Sequence, residues 1–208
     1  MALHSAEYLG SFNLPGGSNN FAFAHENEVI VIVWNNKPQT ERVFLGEDII
    51  VMDIWGRQFS TDIDSKTRQQ ILKVGPTPLV IRRCSEPIAR WRLATRFNTQ
   101  RLESKHGSQP ITITTRNTFP AGVSGTATLN VPSEWQTDSN RWAFQSAQGE
   151  KLAIPLNITL PPNASLGDVK VSMDFEVSAE RRYKFRVYRS FEVGLGDVQL
   201  DVHPALSH

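Results

Sequence analysis

The segment IIVMDIWGRQ, residues Ile49 to Gln58, decides how this chain is interpreted. Its apolar residues form an extended strand in which Val51 and Asp53 share one side. An acid at the end of a strand, followed closely by a glycine, is typical of a tight turn. The carboxylate accepts backbone N–H bonds there, and Gly56 can adopt a positive φ. The segment therefore predicts a β-hairpin, with Trp55 packed on the sheet.

Two other interpretations of this segment stay open. Trp55 could be a binding platform on which a sugar ring stacks, or Asp53 could be a catalytic acid. A glycosidase needs a second carboxylate about 5 to 10 Å away across a cleft. Asp62 and Asp64 are the nearest candidates, because Asp174 and Glu176 lie in the other half of the chain. The hairpin is the preferred interpretation.

The rest of the chain shows the same two-residue periodicity. Short runs rich in Val, Ile, Thr, Phe and Trp recur about every ten residues, and turn residues such as PGGSNN, NNKP and PPNASLG separate them. This pattern is typical of antiparallel sandwiches and predicts an all-β protein. The predicted strands are Tyr8–Leu14, Asn20–Ala24, Glu28–Trp34, Arg42–Leu45, Ile49–Ile54, Gln70–Val74, Leu79–Arg83, Ile111–Arg116, Gly125–Val131, Arg141–Gln145, Lys151–Leu160, Asp168–Val177, Tyr183–Arg189 and Asp197–Val202.

One helix is predicted, at Glu86–Leu93, with Ser85 as its cap and Pro87 in its first turn. After it comes the polar segment Ala94 to Pro110, whose composition suits a connection between domains. We therefore predict two tandem β-sandwich domains, residues 1–97 and 98–208. A chain beginning near residue 102 is expected to fold by itself.

The composition excludes several classes of function. Lys and Arg number 22 against 21 for Asp and Glu, so no net field recruits nucleic acid or an anionic membrane. Cys84 is the only cysteine, which excludes an internal disulfide. No apolar run approaches the roughly 20 residues that span a bilayer. The first residues, MALHSAEYLG, lack the features of a signal peptide, so an exported protein would carry its signal on a longer precursor.

No motif predicts a cofactor or a metal. The histidines, at positions 4, 25, 106, 203 and 208, show no zinc-binding spacing. The stretch TDIDSKT, Thr61 to Thr67, resembles the start of a calcium loop, but Thr67 stands where such a loop needs glycine. We interpret it as a polar loop. The chain is therefore expected to be non-enzymatic.

The other tryptophans are predicted to pack rather than to bind. Trp34 ends an apolar strand and is assigned to the core. Trp91 is expected to lie between two solvated arginines, near the junction of the domains. Trp135, after a turn proline, is expected to cap the end of a sandwich, and Trp142 to pack near the start of a strand. If instead the chain binds glycans, Trp55, Trp135 and Trp142 are the candidate residues.

The first half resembles a known accessory domain. The segments EVIVIVW, IVMDIWG and ILKVGPTPLVI are similar to a strand ending in Trp, a D-x-x-G hairpin and a closing strand of the C-terminal β-sandwich found in bacterial glycoside hydrolases. In those enzymes the sandwich follows a catalytic barrel. Nothing in this chain matches the barrel's paired acids, so no catalytic residue is carried over.

The second half resembles the immunoglobulin-like module associated with carbohydrate-binding domains of alpha-galactosidases. The matching positions are Asn117, Gly125, Pro132, Trp135, Gly149, Pro161, Pro162 and Gly167. The pairing is similar to large exported proteins of planctomycete-type bacteria. The resemblance implies an extracellular or periplasmic, non-catalytic module of a larger carbohydrate-processing or cell-surface protein. It would act as a spacer or interaction domain beside an upstream catalytic domain, or, as the alternative, bind a polysaccharide.

Overall fold

The computed structural model describes residues 5–26, 28–105 and 107–194. Of the described residues, 57% are in strands and 5% in helix, which confirms the predicted all-β class. The predicted strand at Asp197–Val202 lies outside the described residues, as do four of the five histidines. Among the described residues, no helix is long and apolar enough to cross a membrane.

The first part of the chain forms two sheets that face each other across a core. A six-stranded sheet has the order β1-β2-β3-β9-β5-β6, and a three-stranded sheet has the order β4-β8-β7. The strands are β1 (Glu7–Gly10), β2 (Asn19–His25), β3 (Glu28–Trp34), β4 (Gln39–Val43), β5 (Ile50–Asp53), β6 (Gln58–Phe59), β7 (Asp62–Ile63), β8 (Gln70–Val74) and β9 (Leu79–Cys84).

The second part forms another pair of sheets, of four and five strands. Their orders are β10-β12-β16-β14 and β11-β18-β17-β13-β15, and β11 pairs parallel with β18 whereas the other pairs are antiparallel. The strands are β10 (Arg96–Phe97), β11 (Arg101–Glu103), β12 (Ser108–Arg116), β13 (Val123–Asn130), β14 (Gln136–Thr137), β15 (Arg141–Ser146), β16 (Lys151–Thr159), β17 (Gly167–Ser178) and β18 (Arg182–Gly194).

The helix α1 (Glu86–Ala94) lies between the two pairs of sheets and confirms the predicted helix. Pro87 occupies the first turn, whereas the Ser85 side chain makes no capping hydrogen bond. The helix contributes to both cores: Ala89 packs with the first, and Ile88 and Trp91 pack with the second.

The polar segment after the helix is more ordered than its composition indicates. It contains the short strands β10 and β11, and Leu102 is buried in the second core. The side-chain amide of Gln109 accepts from the Glu103 backbone N–H at 2.9 Å and donates to its carbonyl at 2.8 Å. Strand pairing places Arg96–Phe97 with the second pair of sheets, so the sheets divide at α1. Independent folding of two domains, and the immunoglobulin-like class of the second, stay predictions.

Candidate functional site

Asp53 ends β5 and holds the hairpin together, as the sequence predicts. The Asp53 N–H donates to the Arg57 carbonyl at 3.0 Å, and the Gly56 N–H donates to the Asp53 carbonyl at 3.1 Å. Gly56 has φ +84°, which a residue with a Cβ rarely adopts. The turn is therefore a three-residue hairpin loop with a left-handed glycine in its last position.

The Asp53 carboxylate is fully engaged in this turn. It is buried at 4% exposure and accepts from the Trp55 and Arg57 backbone N–H groups at 2.9 and 3.0 Å. The Arg57 Nε donates to its second oxygen at 2.6 Å. Burial by itself would raise the pKa of Asp53, but the hydrogen bonds from Arg57 and Trp55 lower it below the ordinary value. Both carboxylate oxygens accept hydrogen bonds from the turn itself, so the geometry fits a structural acid.

Trp55 does not pack on the sheet, and that expectation is wrong. Its side chain is 68% exposed at the tip of the hairpin, next to Ile54 at 57%. The loop extends beyond the last strand pair, so no neighbouring strand covers the ring. Its contact is with Arg57, whose guanidinium carbon lies 5.3 Å from the ring centroid.

The other two predicted glycan-binding tryptophans are less accessible. Trp135 is 6% exposed and packs in the second core, with its ring centroid 6.2 Å from that of Phe191. It therefore caps the sandwich and offers no face for stacking. Trp142 is half-buried on β15 and packs against the same core. Trp55 alone of the three presents an open ring.

Trp34 and Trp91 differ from their predicted environments in opposite ways. Trp34 is half-exposed on the outer face of the six-stranded sheet rather than in the core. Trp91 is completely buried, and one of the arginines beside it, Arg92, is buried at 2% exposure instead of being solvated. The Arg92 guanidinium donates to the carbonyls of Phe44 and Arg186, at 2.7 and 3.2 Å. It therefore joins a loop of the first pair of sheets to β18 of the second.

The outer face of the six-stranded sheet is apolar, although its inner face already fills the first core. Directly paired residues run across it from Phe21 to Ile32, Val80 and Met52. We call this surface the aromatic face and define it by the following residues: Tyr8, Phe21, Phe23, Ile32, Trp34, Met52 and Val80. Tyr8 is 56% and Phe21 42% exposed, and the others are half-buried.

The rings of the aromatic face contact one another in tilted arrangements. The centroids of Phe21 and Trp34 lie 5.1 Å apart at 58°, and those of Phe21 and Tyr8 lie 5.7 Å apart at 82°. Phe21 also meets Phe23 at 78°. Such edge-to-face contacts are favourable for aromatic pairs. They also give the surface a ridged relief rather than one common plane.

The aromatic face continues to the hairpin tip. A groove of about 340 Å³ lies between the sheet and the hairpin, and Ile32, Met52, Val80, Ile54 and Trp55 contribute to its walls. The sequence carried a signal for this surface, because β3 reads EVIVIVW and is apolar at successive positions. A strand that is apolar on both sides is covered on both sides or interacts with a partner.

Of the remaining acidic candidates, Asp62 is exposed on β7, and the other three are bonded elsewhere. Asp64 accepts from the backbone of Lys66 and Thr67 at 2.9 and 2.8 Å, and these bonds, led by that from Thr67, lower its pKa. Asp174 pairs with Arg186, and Glu176 with Lys184. In the part of the chain that the structure describes, no group of three His, Cys, Asp or Glu side chains could hold a metal ion.

A scan of the chain against protein-family models finds no match, and no curated protein matches it.

Proposed function

We propose that this chain is a non-catalytic accessory module of a larger carbohydrate-processing or cell-surface protein, and that its aromatic face packs against another folded domain. The observation that carries the proposal is the exposed apolar surface formed by Tyr8, Phe21 and their neighbours. A contiguous apolar patch of this kind is unfavourable in water and marks an interaction surface. An exported, extracellular or periplasmic location belongs to the same proposal.

The shape of the aromatic face favours a protein partner over a sugar. Stacking on a saccharide needs a flat ring that faces solvent, whereas Phe21 meets Tyr8, Phe23 and Trp34 at 58 to 82°. Ridges of side chains interlock with the side chains of another protein surface. The aliphatic members of the face, Ile32, Met52 and Val80, add apolar area that a hydrophilic polysaccharide would not cover.

The carboxylates support a non-catalytic role. Asp53 is buried with hydrogen bonds to both oxygens, and Asp64 closes its own turn. A general acid must present its proton within hydrogen-bond reach of a substrate. Asp53 borders the groove beside the hairpin, but both of its oxygens already accept hydrogen bonds within the turn, and Asp64 accepts its two backbone bonds within its own turn.

Site-directed thiol labelling tests the packing role. Cys84 is buried, and burial raises its pKa to about 12, so the native thiol gives an unreactive background. A Tyr8→Cys variant places a thiol on the aromatic face, and Ser124→Cys places a control thiol on an exposed position of β13. We expect both thiols to react in the 208-residue chain, and Tyr8→Cys to be protected at least tenfold in the complete natural polypeptide. Equal labelling of Tyr8→Cys in both proteins would contradict the proposal.

Binding of a polysaccharide is the second candidate function, and the exposure of Trp55 favours it. The ring is 68% open to solvent and has the Arg57 guanidinium against one side. Titration with soluble polysaccharides should then shift the tryptophan fluorescence, and Trp55→Ala should remove the shift. Trp142→Ala serves as the control, because that ring packs against the core. An unchanged spectrum at saturating polysaccharide excludes this role.

A further inference from the structure

A cleft of about 380 Å³ opens where the two pairs of sheets meet, next to the aromatic face. We call it the junction cleft and define its walls by these residues: Asn19, Phe21, Trp34, Lys170, Tyr188 and Arg189. Phe21 and Trp34 belong both to this cleft and to the aromatic face. The volume is within the range of sites that hold small ligands or single side chains.

The two pairs of sheets contact each other along the cleft, so its walls are held in place. Asn13 forms a β-bridge with Tyr188, and the Lys170 Nζ donates to the Pro15 carbonyl at 3.0 Å. The Arg189 Nε donates to the Thr95 carbonyl at 3.1 Å. A site whose walls are fixed in advance loses less conformational entropy when a ligand binds.

The charged side chains that line the junction cleft are positive, and the carboxylates of Asp168 and Glu192 lie two residues further along the same side of β17 and β18. Among the described residues that line it, none is an aspartate or a glutamate. Lys170 is exposed, and its ammonium group donates to a neutral acceptor, the Pro15 carbonyl. Arg189 bonds to carbonyl oxygens, and although burial lowers its pKa to about 10, it remains charged at neutral pH.

Glu41 is a carboxylate beneath the loop that borders the cleft, and it does not balance the charge of Lys170 at the surface. It is fully buried and accepts from the Gly16 and Ser18 backbone N–H groups at 2.7 and 2.9 Å. Both oxygens are thus used to fix the loop before β2. The mouth of the cleft keeps an apolar wall of two rings beside a cation, which suits an apolar group that carries a carboxylate.

We infer that the junction cleft anchors an acidic segment of the protein partner, in which an apolar side chain inserts against Phe21 and Trp34 and an adjacent carboxylate pairs with Lys170. This inference rests on the proposed function, because it gives the chemistry of the partner that covers the aromatic face. Continuity between the face and the cleft through Phe21 and Trp34 places both contacts under one partner.

Two small probes that differ in charge alone test the anchor in the 208-residue chain. N-acetylphenylalanine carries the apolar group and the carboxylate, and N-acetylphenylalaninamide lacks the charge. Binding is followed through the indole N–H signals of Trp34 and Trp55 in an NMR spectrum of the ¹⁵N-labelled protein. We expect the acid to shift the Trp34 signal and to bind about two- to fivefold more tightly than the amide, as an exposed ion pair permits. The Trp55 signal should not move.

Substitution of Lys170 shows whether its charge, rather than the shape of the cleft, gives the preference for the acid. Lys170→Met keeps the aliphatic stem and should lose most of the preference for the acid, because the remaining cation, Arg189, already bonds to carbonyl oxygens, whereas Lys73→Met on β8 should keep the preference. An unmoved Trp34 signal, or equal affinity for the two probes in the unsubstituted protein, would overturn the inference. Tighter binding of glucuronate than of N-acetylphenylalanine would overturn it in favour of an acidic sugar.

The two proposals fail in different ways. If the aromatic face stays accessible in the complete polypeptide, the labelling of Tyr8→Cys shows it, and the probe titration is unaffected. If the cleft binds neither probe, protection of Tyr8→Cys still supports packing of the face. The two experiments therefore report on the packing and on the anchor separately.

Discussion

Trp91 and Trp55 each lie close to an arginine, and the structure gives the two rings opposite environments. Trp91 is completely buried and contacts the rings of Phe175 and Phe185 at centroid distances of 5.4 and 6.0 Å. Trp55 is 68% exposed and contacts Arg57. The difference comes from what lies across from each residue: sheets pack over the helix α1, whereas none of the described residues covers the hairpin tip. Charged neighbours in the sequence therefore do not report whether a tryptophan is buried.

The largest effect that follows from this comparison concerns fragments. Trp91 and Ile88 fill the second core although they precede its strands, and Phe97 stacks on Phe191 at 4.7 Å. These contacts replace the expectation that a chain beginning near residue 102 folds by itself. We expect a chain of residues 85–208 to fold, and a chain of residues 102–208 to lose cooperative folding because these three side chains are missing. Near-UV circular dichroism and thermal unfolding of the two fragments measure this. A cooperative transition of equal stability in both would show that α1 is dispensable.

Single substitutions of the buried Trp91 and the exposed Trp55 should also differ in their effect on stability, by less than the two fragments do. Trp91→Ala removes a ring from the centre of an aromatic cluster, so we expect a loss of about 3 to 5 kcal/mol in the free energy of unfolding, the usual cost of such a cavity. Trp55→Ala is the matched control and should change the stability by less than about 0.5 kcal/mol, as surface substitutions do. Denaturant titration of both variants provides the measurement. Similar losses of unfolding free energy in the two variants would contradict the assignment of opposite environments to Trp91 and Trp55.

Local signals in the sequence predicted local structure well. The hairpin could be predicted because Asp53 and Gly56 form the turn with residues only a few positions away. The burial of Trp91 could not, because its neighbours Phe144, Phe175 and Phe185 are far along the chain and meet it only after folding. The assignment of Trp34 to the core was wrong for another reason.

Strand β3 is apolar on both sides, and alternation cannot then indicate which side faces the core. Val29, Val31 and Val33 are on the buried side, and Trp34 falls on the other. The junction cleft was missed for a related reason. Its walls come from loops and strands of both pairs of sheets, so no short motif carries it.

Trp135 and Trp142 extend the comparison to the second core. Trp135 is 6% exposed beside Phe191, whereas Trp142 is half-buried on the edge strand β15. Burial of such a ring is worth about 2 to 4 kcal/mol, so Trp135→Ala should destabilise the protein by that amount, and Trp142→Ala by less. Urea unfolding followed by far-UV circular dichroism compares the two. A larger loss at Trp142 would mean that the edge strand, rather than the cap, secures this end of the sandwich.

Asp53→Asn should have a smaller effect than the substitutions in the cores, and comparison with Trp55→Ala separates the contribution of the hairpin backbone from that of the tryptophan at its tip. The carboxylate orders the turn through bonds from Trp55 and Arg57, whereas the Trp55 ring contributes little because it is exposed. Asparagine keeps one acceptor oxygen but loses the charge that pairs with Arg57. Asp53→Asn should therefore be less stable than the parent protein at pH 7, whereas the stability of Trp55→Ala should equal that of the parent.

The pH dependence of the stability difference between the parent protein and Asp53→Asn shows whether the charge of Asp53 is responsible. Because the pKa of Asp53 is lower in the folded protein than its ordinary value of 3.8, the contribution of the carboxylate is complete above that value and is lost as the pH falls through the folded pKa. The stabilities of the parent protein and Asp53→Asn should therefore converge below about pH 4. Asp168→Asn, which changes an exposed carboxylate on β17, is the matched control. A gap between parent and Asp53→Asn that stays constant down to pH 2 would show that the hairpin depends on the shape of the side chain and not on its charge.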